Sequence, residues 1–154
     1  MSAISNYSPY APNNEGLTEV LIDLKSTMAI FTVYNIVGFR ALTFEAVNQG
    51  QALYSRTSDG RVGLAIGNST LDEATVVGFA RTTKLAGEEV DVLVVGILST
   101  SGLDAGDTYY LSAAGAGSIA TTPPSGAGQY LTRVGEASTA SSLIVQLSPP
   151  IRLG

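Results

Sequence analysis

The side chains best suited to chemistry are scarce in this sequence. It contains no histidine and no cysteine. The commonest general base, the commonest neutral metal ligand and every thiolate are therefore excluded. Carboxylates remain, and paired carboxylates can act as acid and base. Glu88 and Glu89 are adjacent, so on a strand they would point to opposite faces, and a solvated turn after Gly87 is the simpler reading. Asp104 and Asp107 flank Gly106. They could offer hard oxygen ligands to calcium, but Asp at such positions also bonds its own backbone in turns. Serine and threonine are plentiful, yet no Gly-x-Ser-x-Gly elbow occurs and no imidazole could activate one. The loop Ala114 to Ser118 lacks the lysine and the following helix that a phosphate cradle needs. Asn68 to Thr70 fits the glycosylation pattern and reads as a surface loop. Tyr54, Tyr109, Tyr110 and Tyr130 could line a carbohydrate groove or simply pack at hairpin ends. Tyr109 and Tyr110 are consecutive, so one faces the core and the other is free to make a contact.

The elements around these residues read as strands. Val20, Ile22 and Leu24 alternate with Asp23 and Lys25. Ile30 to Val37 is an apolar run that Gly38 is expected to break, and Phe39 to Val47 alternates again with Arg40 and Glu45 outside. Gln49-Gly50 marks a turn before Ala52 to Arg56, and Asp59-Gly60 a hairpin into Val62 to Ile66. Gly67 to Glu73 reads as a loop with room for one helical turn. Strands are expected over Ala74 to Thr82, carrying Gly78, and over Val90 to Leu98. A further hairpin joins Tyr109–Ser112 to Ser118–Thr122. Strands at Tyr130–Ala137 and Leu143–Leu147 follow, and Pro149-Pro150 is expected to end the domain. No amphipathic helix of three turns is visible. The glycines echo: Gly50, Gly60 and Gly78 with Tyr54, Val62 and Ala80 resemble Gly106, Gly117 and Gly135 with Tyr110, Ile119 and Ala137. The offset is roughly 56 residues. Two similar hairpin units, about residues 48–98 and 104–148, would account for this, and so would chance in a chain with 17 glycines.

The expected fold is all-β: a small antiparallel β-barrel or sandwich, jelly-roll-like or tulip-like, over residues 17–154, preceded by an extended N-terminal arm over residues 1–16. Pro9 and Pro12 fix an extended backbone in that arm. Tyr7 and Tyr10 are either aromatic anchors for a neighbour's pocket or incidental residues of a tail.

Composition bounds the partners. Charged residues are 14% of the chain, against ~25% in an average soluble domain. A surface of Ser, Thr, Asn, Gln and Gly suits lateral packing against other subunits. Net charge is −5 and the sequence pI about 4.5, with only eight scattered Lys and Arg, so nucleic-acid binding has little electrostatic support. No apolar run reaches the ~18 residues of a membrane span. The segment from Met1 to Pro9 lacks the basic and apolar regions of a signal peptide, so the protein is expected to be made and kept in the cytoplasm unless it leaves inside a larger assembly.

The segment from Gly50 to Ile151 resembles small virion proteins of tailed bacteriophages. The residues that carry the resemblance are Gln49 to Tyr54, Asp59 to Val62, Val77 to Ala80 and Gly102 to Leu111. The Ala/Gly turn, Thr122 to Gly126, Arg133 to Ala137 and Pro149 to Ile151 continue it. The pattern is similar to capsid decoration, or cement, proteins and to β domains of some tail fibres. It rests on a glycine and hydrophobic rhythm, and residues 1–48 lie outside it. The resemblance implies a non-enzymatic structural protein that needs no cofactor or metal. It would sit as a homotrimer on the outer capsid surface and clamp neighbouring copies of the major capsid protein, with no membrane partner. The arm, with Tyr7, Pro9, Tyr10 and Pro12, would reach across a seam, and Tyr109 would add an interface contact. The other role the resemblance allows is a tail-fibre or baseplate component with a glycan-binding face.

Overall fold

The computed structural model describes residues 37–154. Their strands are β1 (Val37–Leu42), β2 (Ala52–Ser55), β3 (Val62–Leu64), β4 (Gly78–Ala80), β5 (Glu89–Ser99), β6 (Thr108–Leu111), β7 (Ile119–Ala120), β8 (Tyr130–Leu131), β9 (Arg133–Thr139), β10 (Ser142–Val145) and β11 (Ile151–Arg152). One helical turn, α1 (Leu71–Ala74), interrupts them. Thr70 caps it, its Oγ1 accepting from the Glu73 N–H at 3.2 Å, which satisfies an N–H that has no partner within the turn.

Every strand pairing is antiparallel, as expected for hairpins joined by short glycine turns. The main sheet runs β3-β2-β4-β5-β10-β9-β6-β7, with β1 added to β5, and curls into a half-barrel. The same kinds of element succeed one another on either side of the centre of this order. A hairpin (β2-β3), a glycine-bearing strand (β4) and an apolar strand (β5) are followed by a hairpin (β6-β7), a glycine-bearing strand (β9) and an apolar strand (β10). The halves meet where β5 pairs with β10. The far ends come together through the two hairpins. The Ala52 N–H donates to the Gly117 carbonyl at 2.9 Å, the Gly117 N–H to that of Ala65 at 2.7 Å, and the Gly67 N–H to that of Ser112 at 2.9 Å.

Why the sheet can curl so tightly is visible at the glycines inside its strands. A Cβ on Gly78 would lie 2.5 Å from the Leu93 carbonyl oxygen. A Cβ on Gly135 would collide with the Ile144 carbonyl oxygen, and one on Gly38 with that of Val92. At each site a neighbouring strand lies in the space a side chain would take.

The larger core lies on the inner, concave face: Ala52, Tyr54, Phe79, Leu93, Leu98, Tyr109, Leu111, Ala137, Leu143 and Val145 are all nearly closed to solvent. A smaller cluster covers part of the outer face, with Val47, Leu53, Val62, Ala80, Val90 and Val92. The period-2 alternation of β2 sends Leu53 outward and its neighbours Ala52 and Tyr54 inward. Two buried threonines tie loops to this frame. The Thr43 hydroxyl donates to the Leu85 carbonyl at 2.8 Å and accepts from the Gly87 N–H at 3.1 Å. The Thr132 hydroxyl donates to the Ala74 carbonyl at 2.8 Å.

Several sequence expectations change. The apolar run from Ile30 that Gly38 is expected to break lies, apart from Val37, outside the described residues, and a register shift falls between Val37 and Gly38. Gly38 itself lies inside β1, where its missing side chain admits the β5 backbone. The alternation after Phe39 stops at Leu42, because the chain bends at Thr43 to cover the outer cluster. The strand carrying Gly78 spans three residues rather than nine. Tyr130 to Ala137 is two strands, since Thr132 turns its side chain to Ala74 and Tyr130–Leu131 pair instead with β11. Pro149-Pro150 is not the end of ordered pairing: Ile151 and Arg152 follow it as β11, in a separate two-stranded ladder. The expected arm, residues 1–16, and the expected strand over Val20 to Leu24 lie outside the described residues.

Candidate protein-interaction surface

Among the described residues, the outer face of the sheet is covered at one end and left open at the other. Over β2–β4 and the first half of β5, the segment from Thr43 to Val47 closes it. Val47 and Lys84 exchange both backbone hydrogen bonds at 2.9 Å, and the Phe44 N–H donates to the Val62 carbonyl at 3.1 Å. The Phe44 side chain itself turns to the inner side, where Gly63, opposite Tyr54, leaves room for its ring to lie against β3. That ring meets Tyr54 edge to face at 5.8 Å between centroids and carries the Arg56 guanidinium 4.2 Å above it.

Past Val92 the cover ends. A β-bulge at Val94 resets the alternation of β5, because Gly38 pairs with Leu93 while Val37 pairs with Val95. The reset leaves Leu98 in the inner core and turns Val95 and Ile97 outward. Val95 is 48% exposed and Ile97 61%. Their ladder partners are apolar too: Val37 opposite Val95, and Ile144 opposite Ile97. Phe39, two residues along β1 and opposite Val92, is 42% exposed. Paired residues share a face, so Val37, Phe39, Val95, Ile97 and Ile144 form one continuous apolar row. They leave on the order of 400 Å² open, within the ~300–600 Å² of the largest patch on a typical monomer. No charged side chain interrupts the row. Glu136, opposite Ile144, stands at one border. Arg40, held by Asp91 at 2.9 Å and Glu89 at 3.7 Å, alternates onto the opposite face of β1.

The residues singled out from the sequence fall elsewhere. Tyr7, Pro9, Tyr10 and Pro12 lie outside the described residues. Tyr109 is in the inner core at 5% exposure, its hydroxyl accepting from the Asp104 N–H at 2.9 Å. A bulge between Tyr109 and Tyr110 does not change that assignment, and the outward member of the pair is Tyr110, which is half-buried. Tyr54 is buried and Tyr130 half-buried, so the four tyrosines form no exposed platform. Burial, followed by the nearby carboxylates of Glu73 and Glu45, raises the Tyr54 hydroxyl above its usual value.

The candidate carboxylates lie in turns, which are closed by a carboxylate at Glu88 and by the backbone at Asp104 to Asp107. Glu88 accepts from the Leu85 N–H at 2.8 Å, and the Asp107 N–H donates to the Asp104 carbonyl at 3.1 Å. Among the described residues no three His, Cys, Asp or Glu side chains gather as a metal site would require. In the Ala/Gly loop, the N–H groups of Ala114 and Gly115 already donate to Ser112 Oγ at 3.0 and 3.2 Å. A shallow groove of about 400 Å³ runs between Phe39, Arg40, Arg81 and Asp91. Its only paired charges are those of the Arg40–Asp91 bridge. The tightest charge cluster is at the β2-β3 turn, where Arg56 grips Asp59 with two hydrogen bonds of 3.1 and 2.6 Å. With the Arg61 N–H adding a third, that carboxyl falls from 3.8 to about 2.

The apolar row was not legible as a surface in the sequence. The run Val90 to Leu98 reads as the most apolar strand, and only the bulge and the extent of the Thr43–Val47 cover decide which of its valines are open among the described residues. A comparison with models of known protein families matches none of them, and a search of curated proteins likewise finds no match.

Proposed function

We propose that this protein is a non-enzymatic structural component of a virus particle, a capsid decoration protein. It binds the outer capsid surface as an oligomer, a homotrimer as the resemblance implies, and clamps neighbouring copies of the major capsid protein. The observation that carries an association role is the bare apolar row on the outer face. An exposed apolar strip of this kind is often functional, and the low charge of the chain suits lateral packing against other protein surfaces. The virion setting comes from the glycine and hydrophobic rhythm of residues 50–151.

The physics of the role requires no turnover. Each contact can be weak, because an oligomer engages several capsid subunits at once and gains effective concentration. Symmetry repeats the same contact at every equivalent position. A ligand that binds only the assembled shell stabilises that shell by mass action.

The test is to mix purified protein with particles that lack it and to image them by cryo-electron microscopy. Regular density over the capsid symmetry axes is the expected result. Density confined to the tail, or none on the shell, would replace this reading with that of a fibre or baseplate component.

A further inference from the structure

We propose that the β2-β3 turn holds a site of spontaneous covalent modification, the Asp59-Gly60 pair, and that the Arg56 guanidinium keeps it unreacted in the folded chain. This chemistry governs the lifetime of the chain and is independent of what the chain binds.

Aspartate followed by glycine occurs once in the sequence, at residues 59 and 60, and asparagine followed by glycine does not occur. Such a pair reacts without an enzyme. The Gly60 nitrogen attacks Asp59 Cγ and forms an N–Cγ bond. One carboxyl oxygen leaves as water, taking the carboxyl proton and the amide proton with it. The product is a five-membered succinimide, and water then adds to one of its two carbonyls. Opening at Cγ restores aspartate. Opening at the Asp59 main-chain carbonyl breaks that carbon's bond to nitrogen and leaves the backbone running through Cβ, as isoaspartate. Glycine favours the first step because it has no side chain to shield its nitrogen.

The pair is exposed at the tip of the turn, where water can reach it, and Gly60 takes a φ of +74° that favours glycine. Three features oppose the reaction. First, Arg56 forks both carboxylate oxygens, Nε donating to Oδ1 at 3.1 Å and Nη2 to Oδ2 at 2.6 Å. The Arg61 N–H adds a bond to Oδ1 at 3.1 Å. Swinging Cγ onto the nitrogen would break these charge-assisted bonds. Second, the attacking nitrogen is engaged, because the Gly60 N–H donates to the Arg56 carbonyl at 2.8 Å. Third, the neutral carboxyl is the reactive form, since a carboxylate would have to expel oxide. The Arg56 hydrogen bonds, followed by that of the Arg61 N–H, hold this carboxyl ionised down to about 2 instead of 3.8, which cuts its neutral share at a given pH by a factor of tens. Arg56 enters all three features, by its side chain in the first and third and by its carbonyl in the second. The fold holds that side chain in turn, with the guanidinium 4.2 Å above the Phe44 ring.

The test is to age the full chain for weeks at mildly acidic pH, below its melting transition. Isoaspartate at residue 59 is then measured by proteolysis, chromatographic separation of the peptide isomers and mass spectrometry. In the folded wild type it is expected to form at least about tenfold more slowly than in the same chain unfolded in guanidinium chloride. Arg56→Ala, shown to be folded by circular dichroism, is expected to close most of that gap. Arg56→Gln gives the same reading should the alanine variant fold poorly. Arg61→Ala is the control: it keeps the backbone N–H on Asp59 and loses only a guanidinium 3.8 Å away, so it is expected to age like the wild type. A folded wild type that reacts as fast as the unfolded chain overturns the proposal. So do folded Arg56 variants that react no faster than the wild type, because the turn would then suffice without the guanidinium. An Arg61→Ala variant that ages as fast as Arg56→Ala also overturns it, because loss of charge rather than of the grip would set the rate.

Discussion

Gly135→Ala should be among the most damaging single-methyl additions in the molecule. Gly135 lies in β9 between Val145 on β10 and Tyr109 on β6, and a Cβ there would collide with the Ile144 carbonyl oxygen, with the Leu143 side chain 3.3 Å away. The obstacle is backbone in the middle of a ladder, so it cannot rotate aside as a flexible side chain would. Relief requires β9 and β10 to separate, at the cost of the hydrogen bonds that join them. Overpacking of this kind costs about 1–3 kcal/mol, and a rigid obstacle places Gly135→Ala near 3 kcal/mol. With about 4 °C per kcal/mol for a domain of this size, the melting temperature should fall by about 12 °C. Gly102→Ala is the control. Nothing lies within 4 Å of its added methyl, but its φ of +78° disfavours a side chain, which costs about 1 kcal/mol, or about 4 °C. Thermal unfolding followed by circular dichroism, with urea titrations for free energies, measures both. If Gly135→Ala melts no lower than Gly102→Ala, close strand approach is not what the glycine serves, and the account of how the sheet curls fails.

Neighbouring residues on β10 should respond very differently to truncation. Leu143→Ala, which empties a fully buried position, should cost about 3 kcal/mol, whereas Ile144→Ala on the bare face should cost under about 1 kcal/mol by urea denaturation. Asp59 should titrate with a midpoint of about 2 by carboxyl NMR. Its folded value is depressed below 3.8 by Arg56 and the Arg61 N–H, so the stability it contributes is present above pH 4 and is lost as pH falls through 2. Asp59→Asn should therefore lower the melting temperature at pH 6 and flatten its fall between pH 4 and 2; an unchanged acid limb would remove the turn from the pH response. Deleting residues 1–16 should leave the β domain folded but unable to bind particles, and Tyr10→Ala should weaken attachment without lowering the melting temperature. Full binding by both in a co-sedimentation assay would take the arm out of the clamp.

The sequence by itself determined which side-chain groups the protein lacks and much of the local structure. The absence of histidine and cysteine is a fact of composition, and no fold can supply those groups. The antiparallel all-β architecture followed from period-2 alternation punctuated by glycine turns, since Asp59-Gly60 and the Ala/Gly loop at residues 113–117 each permit a tight reversal of the chain. Those signals act over a few residues, within the reach of local sterics. What only the tertiary structure decided is which apolar residues are covered. Val92 and Val95 are the same amino acid in the same strand, yet one is buried and the other bare. A bulge at Val94 shifts the register, and the Thr43–Val47 segment stops short of the second. Tyr109 and Tyr110 likewise divide between core and surface by the register of β6 against β9, which places Tyr109 opposite Gly135. Gly38 reads in the sequence as a residue that weakens a strand. Within the fold it is the residue that lets β1 approach β5. Burial and close approach depend on partners distant in the chain, and local sequence carries no record of where those partners will lie.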